Sequence, residues 1–180
     1  MARQKNHRRD FLKGLFAGVT VVTFPGAAFT YAANDKLNMA CIGAGGQATG
    51  GINTALGQSL LAVAEVDQKG KGKQSLDKVG KEAPGAKLYT DYRKLFDEHK
   101  KLDAVWVATP DHHHFPAAIR AIEAGAGVYV EKPMAYTIWE ARKLKDAVAA
   151  KKVASQMGNQ GHSSATIRMI CEYIWTGVLG

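Results

Sequence analysis

Cysteine and proline are both scarce in this chain, at two and five residues in 180. Cys41 and Cys171 cannot build a disulfide framework, and they show none of the paired spacing of a zinc site. No repeat of 20–50 residues and no low-complexity run is present, which excludes solenoids and arrays. Residues 14–33 are apolar only in a mild way, interrupted by Gly, Thr and Pro25. A membrane-spanning helix needs ~20 strongly apolar residues, so no stable membrane anchor is expected there. Apolar residues at 46% and charged residues at 22% also exclude collagen-like, coiled-coil and wholly disordered chains. What is plentiful is glycine, with 19 residues, a surplus that points to tight turns where backbone passes close to a ligand or to another element. A chain of this length can bury a core without metal or disulfide staples.

The formal charge of +8 raises the question of a nucleic-acid partner. Its location argues against one. Residues 1–33 hold Arg3, Lys5, Arg8, Arg9 and Lys13 against Asp10 alone, which leaves a balance of only +4 in the rest.

From residue 37 the hydrophobic pattern alternates between strand and helix. Apolar runs of strand length stand at 37–42, 60–66, 103–108, 128–130 and 153–157, with a weak one at 87–89. Between them, amphipathic stretches predict helices from 48 to about 56 and at 92–99, 116–124 and 138–150. The strands read as apolar on both faces, the signature of a parallel sheet covered by helices. The expected fold is therefore α/β: a doubly wound parallel sheet with ligands at the carboxyl ends of its strands.

Directly after the first strand comes Gly43-Ala44-Gly45-Gly46-Gln47-Ala48. Gly43-x-Gly45-x-x-Ala48 between a strand and a helix is the dinucleotide fingerprint of a Rossmann fold. Gly43 permits the tight turn, Gly45 lets backbone approach a pyrophosphate, and Ala48 allows close helix packing. Gly46 and Gln47 lead into a helix N-terminus that favours anions. An acidic residue at the end of the second strand chelates the adenosine ribose in this fold, and both Glu65 and Asp67 qualify. Glu65 is preferred, because Asp67 has the look of a turn residue. A carboxylate there repels a 2′-phosphate, so the expected cofactor is NAD rather than NADP. Lys69, Lys71 and Lys73 act in the opposite sense, although a solvated helix start also explains them.

Tyr92-Arg93-Lys94-Leu95, then DAVWVATPDHHH at 103–114, GVYVEKP at 127–133 and QMGNQGH at 156–162 together resemble the Gfo/Idh/MocA oxidoreductases, the glucose-fructose oxidoreductase and inositol dehydrogenase family. The resemblance implies that Thr109, Pro110, His112 and His114 lie beside the cofactor at the end of the fourth strand, position 113 being variable. No metal site is expected in this His run, since three adjacent side chains point in different directions and no carboxylate or Cys joins them at ligand spacing. Glu131-Lys132 directly after a buried strand is costly unless polar partners or a ligand receive it. By resemblance, Lys132 lies against the cofactor next to the nicotinamide and is the catalytic residue that hydrogen-bonds the substrate oxygen during hydride transfer, and Glu131 orients the cofactor or the lysine. Pro133 then fixes the turn, a setting in which cis prolyl bonds occur. Asn159 is expected to contact the cofactor through its amide. Trp106 and Met157 read as core and Trp139 as a helix-face residue.

The resemblance further implies a sugar, sugar acid or cyclitol as substrate, and a second α/β substrate domain beginning near the end of these 180 residues. In this reading residues 34–162 are the dinucleotide-binding domain and 163–180 a helix leading into a substrate domain that the chain lacks, through which homo-oligomers could form. Two alternatives stay open: an NAD-dependent glycosidase acting by transient sugar oxidation, and a dinucleotide-binding fragment without turnover. Retention of lysine at 132 favours the oxidoreductase.

Residues 1–33 resemble a twin-arginine export signal. Arg8-Arg9, Phe11-Leu12 and Lys13 fit it, while His7 stands where Ser or Thr is usual. Thr30-Tyr31-Ala32 offers the small residues that a signal peptidase reads, which places the mature start near Ala33 and the protein in the periplasm or outside the cell.

Overall fold

Six parallel strands form one sheet in the order β3-β2-β1-β4-β5-β6. The computed structural model describes residues 36–178, so the export signal read at 1–33 lies outside the described residues. Along the chain the elements are β1 (Asn38–Ile42), α1 (Ala48–Leu56), β2 (Ser59–Ala64), α2 (Lys73–Glu82), β3 (Lys87–Tyr89), α3 (Tyr92–Glu98), β4 (Ala104–Val107), α4 (His114–Glu123), β5 (Gly127–Glu131), α5 (Ile138–Lys151), β6 (Ser155–Gly158) and α6 (Ala165–Trp175). Short 3₁₀ turns occupy Asp111–His113 and Gln160–Ser163. From β1 the sheet grows outward to β3 on one side, and from β4 to β6 on the other. The switch between β1 and β4 opens a crevice at their carboxyl ends, where ligands of such sheets sit.

Alternating side chains divide the core into two layers. Ala40, Ile42, Val105, Val107, Val128 and Val130 pack with Leu95, Ala118, Ile122 and Leu144 on one side. Met39, Cys41 and Val63 pack with Ile52, Leu76 and Val79 on the other. Burial pushes the Cys41 thiol up to about 12, which leaves it an inert core group. Trp106 lies beneath Gly51, where an added Cβ would come within 2.5 Å of the indole, and it stacks on Tyr129 with ring centroids 4.0 Å apart.

The elements differ from the sequence reading at several ends, each for a local reason. β2 stops at Ala64 rather than 66, because Asp67 accepts the amides of Gly70 and Lys71 and turns the chain toward α2, leaving Val66 82% exposed. α4 starts at His114, two residues before Pro116, and a proline is tolerated in a first helical turn where its missing N–H has no intrahelical acceptor. β5 continues through Glu131, which pairs with Gly158. β6 departs from the apolar pattern, since Ser155 and Gln156 are exposed along this edge strand. α5 begins with a capping box between Thr137 and Glu140. Among the described residues no helix is long and apolar enough to cross a membrane.

Candidate cofactor site

At the carboxyl ends of β1, β2, β3 and β4 lies a cavity of about 720 Å³. Its floor is the glycine turn. Gly43 has φ +98°, and a Cβ there would sit 2.4 Å from the Ala108 carbonyl oxygen, so only glycine fits between β1 and β4. Its N–H donates to Ala64 O at 2.8 Å, which ties the turn to β2 as well. Gly43, Gly45, Gly46 and Gln47 all line the cavity, whereas Ala48 is buried against the sheet as the first residue of α1. Gln47 supplies no side-chain cap, α1 has no acidic residue in its first turn, and the N–H groups of Gly45, Gly46 and Gln47 find no acceptor among the described residues. Unpaired N–H groups at a helix N-terminus suit an anion such as a pyrophosphate.

The two acidic candidates play different parts. One Glu65 oxygen accepts the Ala44 N–H at 2.6 Å and the other the Asp67 N–H at 2.8 Å, so its carboxylate bridges the glycine turn and the β2 loop at the cavity wall. Asp67 also lines the cavity, and its two oxygens likewise accept one amide each, from Gly70 and Lys71 within its own turn. Of the three lysines, only Lys71 reaches the cavity; Lys73 pairs with Asp77 along α2.

Thr109, Pro110 and His112 form the β4 wall. The Thr109 hydroxyl is buried without a partner, in a residue that lines the cavity. His114 departs from expectation: its ring is 1% exposed, directed inward, and lies between the carbonyls of Thr109 and Pro133, so it does not line the cavity. Its neighbour His113 does, held edge-on against Tyr92 with ring centroids 5.5 Å apart. Among the described residues no group of three or more His, Cys, Asp or Glu is arranged to hold a metal ion.

Sequence reasoning assigned no role to Asp91, Tyr92 and Arg93, which close the cavity beyond β3. The available signal was topological, because in this strand order the residues after β3 share an edge with those after β2. Asp91 caps α3 through the Arg93 N–H and binds the Arg93 guanidinium at 2.9 Å; those two bonds hold its carboxyl below the usual range. The His113 imidazole is lowered chiefly by burial, then by the positive charge of His112, Arg93 and His114. A base depressed in the fold stabilises the neutral form, so this contribution is complete above the unfolded imidazole range and disappears as pH falls through it. Accordingly His113→Phe should show a shallower loss of melting temperature between about pH 7 and 5 than the parent chain, measured calorimetrically in parallel buffers.

Glu131, Lys132 and Asn159 stand apart from this cavity, at the ends of β5 and β6. Glu131 is 3% exposed, and its carboxylate accepts both contacts of the Gln160 amide nitrogen, at 2.9 and 3.0 Å. Gln160, not the lysine, is thus its partner. The Lys132 ammonium is exposed and makes no ion pair or hydrogen bond among the described residues; the Lys132–Pro133 bond is cis. Asn159 precedes the second 3₁₀ turn and is half-buried.

A family model described as an oxidoreductase family with an NAD-binding Rossmann fold, Gfo/Idh/MocA, matches residues 37–159. The chain belongs to this family. Gfo/Idh/MocA relatives of similar sequence include the D-xylose 1-dehydrogenase (NADP(+)) of Hypocrea jecorina, 36% identical over 94 residues, covering 52% of this chain and 24% of the relative. The levoglucosan dehydrogenase of Pseudarthrobacter phenanthrenivorans is 32% identical over 91 residues, or 51% and 23%. In fold, the chain is similar to the myo-inositol 2-dehydrogenase of Lactobacillus plantarum, with a TM-score of 0.66 at 22% identity over 81% of this chain and 43% of that one. A dehydrogenase of Thermus thermophilus solved with NAD and UDP-GlcNAcA gives 0.66 at 20%, covering 78% and 47%. The chain spans about a quarter of the length of these sequence relatives and less than half of these solved chains.

Proposed function

We propose that this chain is the cofactor-binding portion of an NAD-dependent oxidoreductase acting on a secondary alcohol of a sugar, sugar acid or cyclitol. The observation that carries the reading is the glycine turn with its unpaired amides, set beside Glu65 and the partnerless Thr109 hydroxyl. These residues fit a dinucleotide: the amides at α1 receive the pyrophosphate, Glu65 the adenosine ribose, and Thr109 a polar atom at the β4 wall. The cofactor, when bound, supplies the hydride acceptor. Lys132, unpaired at the end of β5, hydrogen-bonds the substrate oxygen and stabilises negative charge developing there. The substrate class is supported by relatives named for xylose, levoglucosan and inositol.

NAD is preferred over NADP because a 2′-phosphate would meet the Glu65 carboxylate. Calorimetric titration with both cofactors tests this, and equal affinity or an NADP preference sinks it. Glu65→Ala should erode discrimination more than Asp67→Ala, since of the two only Glu65 is bonded to the glycine turn; the reverse order would move the ribose contact to Asp67.

Export by the twin-arginine route, which carries folded proteins and so suits an enzyme loaded with cofactor before leaving the cytoplasm, completes the proposal. Replacing Arg8 and Arg9 with Lys should retain the protein in the cytoplasmic fraction, and unchanged export would remove this part.

A further inference from the structure

The imidazole of His114 joins two strand-end loops. Nδ1 lies 2.5 Å from the carbonyl oxygen of Pro133 and Nε2 lies 2.8 Å from that of Thr109, with the residue 1% exposed at the first position of α4. Both partners are acceptors only. A neutral imidazole carries a single N–H and satisfies one of them, leaving its bare nitrogen lone pair pressed against the lone pairs of the other. Either tautomer thus donates to one carbonyl and packs its other nitrogen against the second, so the ring spans the gap between the two loops.

We infer that His114 is a positioning residue: its ring is wedged between the carbonyls of Thr109 and Pro133 and so sets the Lys132 turn at a fixed distance from the β4 wall of the cofactor cavity. Thr109 belongs to the cavity, while Pro133 follows the lysine directly. β4 and β5 are already paired along Ala104–Val107 and Gly127–Val130, but that ladder ends before either loop begins. Beyond it, the ring is the side-chain bridge holding the two loops together. Without the bridge, a carbonyl facing the interior would lose its donor, and the lysine could drift relative to the cavity. A shift of about 1 Å is enough to degrade a reacting geometry substantially. The purpose of the bridge rests on the proposed role of Lys132; its existence does not.

Two measurements on the full chain, both made without cofactor, test it. In nitrogen-15 NMR the His114 ring should carry a slowly exchanging proton held in a hydrogen bond to a backbone carbonyl; a ring whose protons exchange as fast as those of an exposed imidazole would overturn the inference. In His114→Gln, whose single amide nitrogen cannot reach two carbonyls on opposite sides, amide hydrogen exchange should accelerate at least roughly tenfold in residues 109–113 and 131–136 together, the scale of one lost buried hydrogen bond. Acceleration in one segment alone, or in neither, would overturn it. Should the variant fail to fold, the NMR result on the parent chain decides. Failure of NAD to bind would strike the proposed function and leave the bridge standing.

Discussion

Gly43→Ala is expected to be the most damaging single-methyl change in this fold, abolishing dinucleotide binding and lowering stability by roughly 3 kcal/mol or more. Two costs combine. A Cβ would lie 2.4 Å from Ala108 O and 2.7 Å from Ala108 C, which are backbone atoms of the adjoining strand end and cannot swing away. The residue must also hold φ +98°, a conformation that side chains rarely adopt. Relief requires β1 and β4 to separate at the switch point, which deforms the floor of the cavity itself. Gly46→Ala is the internal control. Its φ is +56°, but nothing lies within 4 Å of an added Cβ, so it should cost about 1 kcal/mol from backbone strain alone. Urea denaturation and NAD titration of the two variants side by side measure this, and a Gly43→Ala protein as stable as Gly46→Ala would contradict the packing argument. With a total stability of about 5–15 kcal/mol for an ordinary domain, the larger cost is a substantial fraction of the whole.

The second large effect concerns chemistry. In the enzyme with a complete substrate pocket, Lys132→Ala should leave NAD binding nearly intact while reducing turnover by roughly a hundredfold or more, the usual scale for loss of a preorganised donor to a developing oxyanion. The separation of effects follows from location. Lys132 is outside the cavity lined by the glycine turn and Glu65, so its removal leaves the dinucleotide contacts in place. It is also exposed and unpaired, so truncation breaks no internal ion pair and should leave thermal stability nearly unchanged. Steady-state kinetics together with cofactor titration read both halves. Normal turnover would strip the residue of its role, and a parallel collapse of NAD binding would show that it serves the cofactor instead.

Sequence alone determined a good deal here. Apolar runs separated by helical periodicity define a parallel α/β sheet, because a strand covered on both faces must be apolar on both, and the register of β1 with β2 and β4 bears this out. The place of the glycine turn was equally legible: strand, turn and helix are contiguous, so the local order of residues specifies the geometry. The ends of elements were less so, as at β2, where Asp67 captures two amides three and four residues ahead and stops the strand early. Only the tertiary structure decided which side chains meet across distant segments. Nothing in the run of three histidines tells that the third turns inward to the Pro133 carbonyl while the second faces the cavity, since that choice depends on a loop 19 residues away. The same holds for Glu131, whose partner proves to be Gln160 rather than the adjacent lysine. Asp91, Tyr92 and Arg93 join the site because β3 is placed beside β2, a neighbourhood set by long-range strand pairing rather than by any local propensity.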